Sequence, residues 1–188
     1  MEQPKFPGNV VVKGFMVYAV FTFLALIWGG LRGDFNLLYL DEQKNLNLWH
    51  DTLMGAGCGL TVVFLSRLLH HYFQTFRTLN RDFKQILGPL STTDCLLLSF
   101  FSAIGEELFF RGAMQPSIGL VLTSLIFGLM HTGGKRYIPW TISALVLGFV
   151  LGAMANYSGN LLAPIIAHFT INYFNLLFLQ KIKTNTSN

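Results

Sequence analysis

The chain has 188 residues, of which 52% are hydrophobic and 12% charged, with a formal net charge of +4. Soluble domains carry about 25% charged residues, so this composition excludes an ordinary soluble enzyme and points to one polytopic transmembrane domain, 1–188. The 13 Lys and Arg residues fall between apolar runs rather than on one polar surface, which excludes a nucleic-acid binder. Cys58 and Cys95 sit in apolar segments without disulfide or metal spacing and read as small packing residues.

Residues 14–31 carry no charge and are enough for one crossing; without an A-x-A cleavage signal they read as an uncleaved first helix. Residues 32–51 contain Asp34, Asp41, Glu42 and Asp51 and are expected to be loop rather than core, with 35–40 along the interface. Residues 52–66 form a second helix in which Gly55, Gly57 and Gly59 allow close helix approach, continuing through 67–76. His70 and His71 are adjacent, face different directions and read as interfacial packing.

Residues 77–89 read as a basic connector ended by Gly88-Pro89. Ser91 to Asp94 then offer N-cap residues for a third helix, which Gly112 and Pro116 are expected to end. Residues 117–131 make a fourth helix. From Tyr137 to Gln180 there is no Asp, Glu, Lys or Arg. A single helix over that stretch would be about 66 Å long, twice the ~30 Å hydrocarbon thickness, so it must fold back. The polar stretch 156–160 supplies the turn between helices at 138–155 and 161–180, the first with a close-packing stripe of Ala144, Gly148 and Gly152.

The sequence thus predicts an all-α bundle of about six transmembrane helices. Six crossings put Lys5, Lys13, Arg67, Arg77, Arg81, Lys84, Lys135, Arg136, Lys181 and Lys183 on one side, leaving Arg32, Lys44 and the ion-pair candidate Arg111 on the other. By the positive-inside rule both termini are cytoplasmic.

Ionisable residues interrupt the third helix, at Glu106, Glu107 and Arg111. Such groups in hydrocarbon cost several kcal/mol by the lower estimates and mark a functional site unless they form an interfacial charge cluster. Glu107 and Arg111 are spaced i, i+4, with the acid N-terminal, which predicts an ion pair. Glu106 points roughly 100° away and stays available as a general base. Phe127 and His131 share a face of the fourth helix, and His168 and Asn172 share a face of the last. At 1.5 Å per residue, Glu106 and His168 come out at the same membrane depth, with His131 nearer the cytoplasmic end. The site should therefore open toward the cytoplasmic half. Taken singly, each histidine reads equally as a hydrogen-bonded packing residue.

The motifs Glu-Glu-x-x-x-Arg, Phe-x-x-x-His and His-x-x-x-Asn, in this order on successive apolar helices, resemble the CAAX-processing and bacteriocin-processing intramembrane proteases, the CPBP or ABI family. They lie in a motif-bearing core of 92–180. The resemblance implies an intramembrane endopeptidase with a catalytic group of Glu106, Glu107, His131, His168 and Asn172. In it Glu106 activates water, His131 positions that water, and His168 with Asn172 stabilises the oxyanion. It leaves the metal open: Glu106, His131 and His168 form a His₂Glu combination that suits zinc, and a metal-free water would use the same residues. No cofactor is assigned. The short chain resembles compact bacterial members, which implies a cytoplasmic membrane location and a peptide or membrane-anchored protein substrate among lipid. Two other readings stand beside it. One is a non-catalytic bacteriocin-immunity or scaffold protein; the other is a small proton-coupled transporter, whose expected inverted repeats and interrupted helices the sequence lacks.

Overall fold

A computed structural model describes residues 8–40 and 46–182. Lys5, Asp41, Glu42, Lys44 and Lys183, used above for loop charge, lie outside the described residues. The fold is all-α: α1 Gly8–Arg32, α2 Leu48–Tyr72, α3 Gln74–Leu87, α4 Thr92–Glu107, α5 Gln115–Met130, α6 Ile138–Ser158 and α7 Leu162–Lys181. Between α4 and α5 the chain stays helical but widens into a π-helix, Leu108–Met114.

Four of these helices, α1, α2, α6 and α7, are long and apolar enough to cross a membrane, and so is the continuous run Thr92–Met130. That run does not cross in one line. Phe110 packs edge-on against Phe127 with ring centroids 5.0 Å apart, so the chain has doubled back between them. The reversal falls at Gly119, whose φ of 84° lies where a glycine is tolerated and most L-residues are not. The bundle therefore makes six apolar passes.

The predicted stop at Gly112 and Pro116 is not where the helix ends. Pro116 lacks an N–H, so a carbonyl one turn earlier loses its helical donor. Arg32, at the end of α1, donates to this stretch: Nη2 reaches the Gly112 carbonyl, the one Pro116 would serve in an α-helix, at 3.4 Å, and Nη1 reaches the neighbouring Ala113 carbonyl at 3.0 Å. Asp34 steadies that guanidinium at 2.7 Å. With these carbonyls served, the backbone can widen into a π-turn instead of breaking.

The loop after α1 is also more buried than its acidic composition suggests. Leu37 is 5% exposed and joins the core cluster of Phe109, Phe110 and Phe127. Its carbonyl passes so close to Gly112 that a Cβ there would lie 2.6 Å from it. Backbone bonds from Leu40 to Gly159 and from Leu161 to Leu38, with a β-bridge between Tyr39 and Asn160, fasten the loop to the α6–α7 turn. Asn160 in turn donates to the buried Asp51 carboxylate at 2.8 Å, tying the same turn to α2.

Residues 74–87 form a helix of their own rather than a connector. Phe73, with φ −113° and ψ 122°, breaks the run from α2, and neither Gly nor Pro marks the place. Phe76, Leu79, Phe83 and Ile86 recur at helical spacing opposite Arg77, Arg81 and Lys84, the pattern of a helix lying in the interface. Arg136 holds α3 through Asp82 at 2.6 Å, and Lys84 donates to the Gln180 carbonyl of α7 at 3.0 Å.

Glycine faces set the helix seams. A Cβ on Gly55 would meet the Ala163 carbonyl at 2.5 Å and one on Gly59 would meet Thr170 at 2.7 Å, so these two residues seat α2 against α7. Gly57, between them, has nothing within 4 Å. Gly55→Ala should therefore lower stability by about 1–3 kcal/mol through overpacking against backbone. Gly57→Ala should be neutral or gain up to about 1 kcal/mol of helix propensity. Thermal unfolding in detergent micelles checks the contrast, and equal behaviour of the two variants would refute this packing.

Candidate active site

The buried charges converge on one carboxylate. Glu107 is fully buried and its Oε1 accepts from Arg111 Nη1 at 2.9 Å and from His168 Nδ1 at 2.7 Å. Arg111 is fully buried too, and Nη2 reaches the Gly148 carbonyl on α6 at 3.3 Å while the guanidinium lies 4.4 Å from the Phe127 ring centroid. One acid thereby connects α4, the π-turn, α6 and α7. Gly148 makes this possible: its bare Cα lies against Ser124, where a Cβ would come within 3.1 Å of the Ser124 carbonyl. The α6 backbone is thus close enough for its carbonyl to meet the arginine.

Glu106 is placed differently. It is 6% exposed, and among the described residues its Oε2 accepts no hydrogen bond. The group facing it is His131 Nε2, at 3.7 Å, slightly beyond direct hydrogen-bond reach and suited to a shared water. His131 Nδ1 lies 2.7 Å from the Phe127 carbonyl, so Nδ1 carries a proton and Nε2 of the neutral ring keeps its lone pair. Phe127 and Trp140 flank the imidazole, with ring centroids at 4.5 and 5.2 Å. The adjacent acids therefore differ in environment: Glu107 holds Arg111 and His168 on one oxygen, its Oε2 accepting no hydrogen bond among the described residues, and Glu106 faces one histidine across a gap.

Asn172 does not sit beside His168's partner. Its Nδ2 donates to Ser102 Oγ at 2.9 Å, one helical turn before Glu106 on α4. Both residues line a cavity of about 720 Å³ that runs between α1, α3, α4, α6 and α7 to the side of the bundle bearing Lys13 and Arg67. Its lining follows α4 from Leu98 to Ser102 and α7 from Leu179 to Asn172, so its inner end stops one helical turn, about 6 Å, from Glu106 and from His168. Phe83 of α3 and Trp140 form part of its wall, packed at 4.9 Å.

Glu106, His131 and His168 do not assemble as a zinc ligand set. Among the described residues no three His, Cys, Asp or Glu side chains are grouped to hold one ion, and His168 directs Nδ1 to Glu107 rather than joining Glu106. The structure also brings in groups that sequence reasoning missed. Ser102 was findable, being a hydroxyl one turn before Glu106 in an apolar helix. Arg32 and Tyr18 belong to α1, and no spacing in the sequence connects them to the motifs.

The fold is thus an all-helical membrane bundle with a buried acid–arginine–histidine centre beside a cavity. Residues 88–174 match the family of type II CAAX prenyl endopeptidases described as Rce1-like. The uncharacterized protein YpbD of Bacillus subtilis (strain 168) is 38% identical over 92 residues, 47% of this chain and 47% of that protein, so the match spans about half the length of the curated relative. No solved structure matches the chain. The segment that carries the site is therefore similar to the Rce1-like type II CAAX prenyl endopeptidases, over somewhat less than half of the chain.

Removing one partner of a buried ion pair costs roughly 3–5 kcal/mol because the other charge is stranded. Arg111→Ala should therefore lower the melting temperature sharply in detergent. Arg111→Lys should recover only part of the loss, since an ammonium cannot serve Glu107, the Gly148 carbonyl and the Phe127 face together. An Arg111→Ala protein as stable as wild type would show that Arg111 acts elsewhere than in the fold.

Proposed function

We propose that the protein is a glutamate-dependent intramembrane endopeptidase that hydrolyses a peptide bond in a membrane-associated peptide or protein reaching the site through the 720 Å³ cavity. One observation carries this reading above the scaffold and transporter alternatives: of two adjacent buried acids, one is paired with Arg111 and His168 while the other faces His131 Nε2 across 3.7 Å. A scaffold has no use for such an asymmetry. A relay would need acid and imidazole groups in a continuous chain, and His168 is bonded to Glu107, away from the Glu106–His131 gap.

In this mechanism a water lies between Glu106 Oε2 and His131 Nε2. Glu106 removes its proton as the oxygen attacks the scissile carbonyl, and later returns that proton to the leaving amine. His131, its Nδ1–H held by the Phe127 carbonyl, orients the water through Nε2. The developing oxyanion is received by Asn172 and His168. For His168 to donate from Nε2 while Nδ1–H is given to Glu107, the ring carries both protons, and the Glu107 carboxylate supplies the countercharge. Glu107 is thus a positioning residue. The cavity opens on the side bearing Lys13, Arg67 and the cations of α3, which under the positive-inside rule is the cytoplasmic side.

Comparing the peptides of membranes carrying wild type and Glu106→Gln tests activity and finds the substrate together. A product lost in the variant is expected. With that substrate, Glu106→Gln and His168→Ala should each reduce turnover by at least about 10³-fold, Glu106→Gln with its melting temperature near that of wild type. Full turnover by either variant would refute the assigned roles.

The reading uses water held by protein groups alone. Prolonged chelation should leave most activity in place and added zinc should not stimulate it. Near-stoichiometric zinc in the purified protein, lost in both Glu106→Gln and His168→Ala, would replace this mechanism with a metal-assisted one.

A further inference from the structure

The inner end of the cavity holds a polar network on α4 and α7. Tyr18 on α1 crosses α4 at Gly105, where a Cβ would lie 2.8 Å from the Tyr18 carbonyl, so this part of α1 is fixed at the level of the acid pair. The Ser102 hydroxyl lies 3.1 Å from the Ser99 carbonyl, to which it donates, and accepts from Asn172 Nδ2 at 2.9 Å. Ser102 is 3% exposed, and Tyr18, Ser102 and Asn172 all line the cavity.

A hydroxyl has one proton and two acceptor lone pairs. With its proton on the Ser99 carbonyl, Ser102 can only accept, so Asn172 must turn its nitrogen toward Ser102. An asparagine amide is nearly symmetric in shape, so without such a network its carbonyl and amino ends could exchange. Here the network selects one of them, and the second Nδ2–H remains for a group in the cavity.

We propose that Ser102 is a positioning residue that locks the Asn172 amide with one N–H on the Ser102 hydroxyl and the other directed at the carbonyl oxygen of a bound peptide. This rests on the protease reading for its consequence and on the hydrogen-bond network for its geometry.

The test uses full-length protein in proteoliposomes and the peptide whose cleavage depends on Glu106. Ser102→Ala should lower kcat about 10–100-fold, short of the ~10²–10³-fold cost of a lost oxyanion donor, with KM within about twofold. Ser102→Thr, which keeps the hydroxyl, should recover most of the Ser102→Ala loss. Ser102→Ala should not reduce kcat further when Asn172 is already Ala, because it acts through that amide. An additive loss, or a loss that follows the melting temperature, would overturn the proposal. A second measurement does not need turnover: in ¹⁵N spectra of detergent-solubilised protein, the Asn172 side-chain amide protons should exchange slowly in wild type and faster in Ser102→Ala. Unchanged exchange in that variant overturns the proposal even if cleavage is seen. If wild type shows no Glu106-dependent cleavage, the protease reading fails, and the exchange result alone decides whether Ser102 holds Asn172.

Discussion

The Glu107 carboxylate is the interaction on which the rest of the site depends. Buried in an apolar bundle, an isolated carboxylate would cost far more than the net stability of a typical domain, so it exists there only because two cationic donors share one of its oxygens. That requirement dictates the neighbourhood. Arg111 must be reachable across a π-turn, α6 must be thin enough at Gly148 to bring a carbonyl to the guanidinium, and α7 must present His168 at the same depth. Helices that would otherwise slide past one another on featureless apolar surfaces are set in register by these bonds.

Pairing Glu107 has a second effect on its neighbour. Arg111 and His168 are taken by Glu107, so Glu106 meets His131 across a gap rather than in a closed pair. The protein obtains a firmly held acid and an uncommitted one from two consecutive residues of the same type. Adjacent positions on a helix point about 100° apart, and that geometry is enough to send one side chain into the ion-pair layer and the other toward the water-binding gap.

The N-terminal half does more than surround this centre. Arg32 of α1 donates to the Gly112 and Ala113 carbonyls beside Pro116 and so supports the π-turn on which Arg111 is carried. Tyr18, three to four turns earlier on the same helix, crosses α4 at Gly105 beside the acid pair. The amphipathic α3 walls the cavity with Phe83, which touches Trp140, which in turn lies against His131. Access from the membrane surface and the proposed catalytic histidine are therefore joined by two aromatic contacts.

Sequence alone determined the parts whose physics is local or compositional. Charge-free runs of crossing length set the six passes, the i, i+4 spacing set Glu107 beside Arg111, and three polar motifs on successive apolar helices marked the site-bearing segment. Helix α3 was legible in principle, from the spacing of Phe76, Leu79 and Phe83, but its cations disguised it as a connector. What sequence could not determine were contacts between residues far apart in the chain. Leu37 and its carbonyl belong to the core because Gly112 has no side chain, a fact about two surfaces meeting rather than about either segment. His168 pairs with Glu107 rather than Glu106, and Asn172 with Ser102 rather than the acids, because the azimuths at which α4 and α7 pack choose between neighbours one residue or one turn apart. A spacing rule places a side chain on a face of its own helix; which group that face meets is decided by the rotation and depth of the other helix, and only the packed bundle sets those.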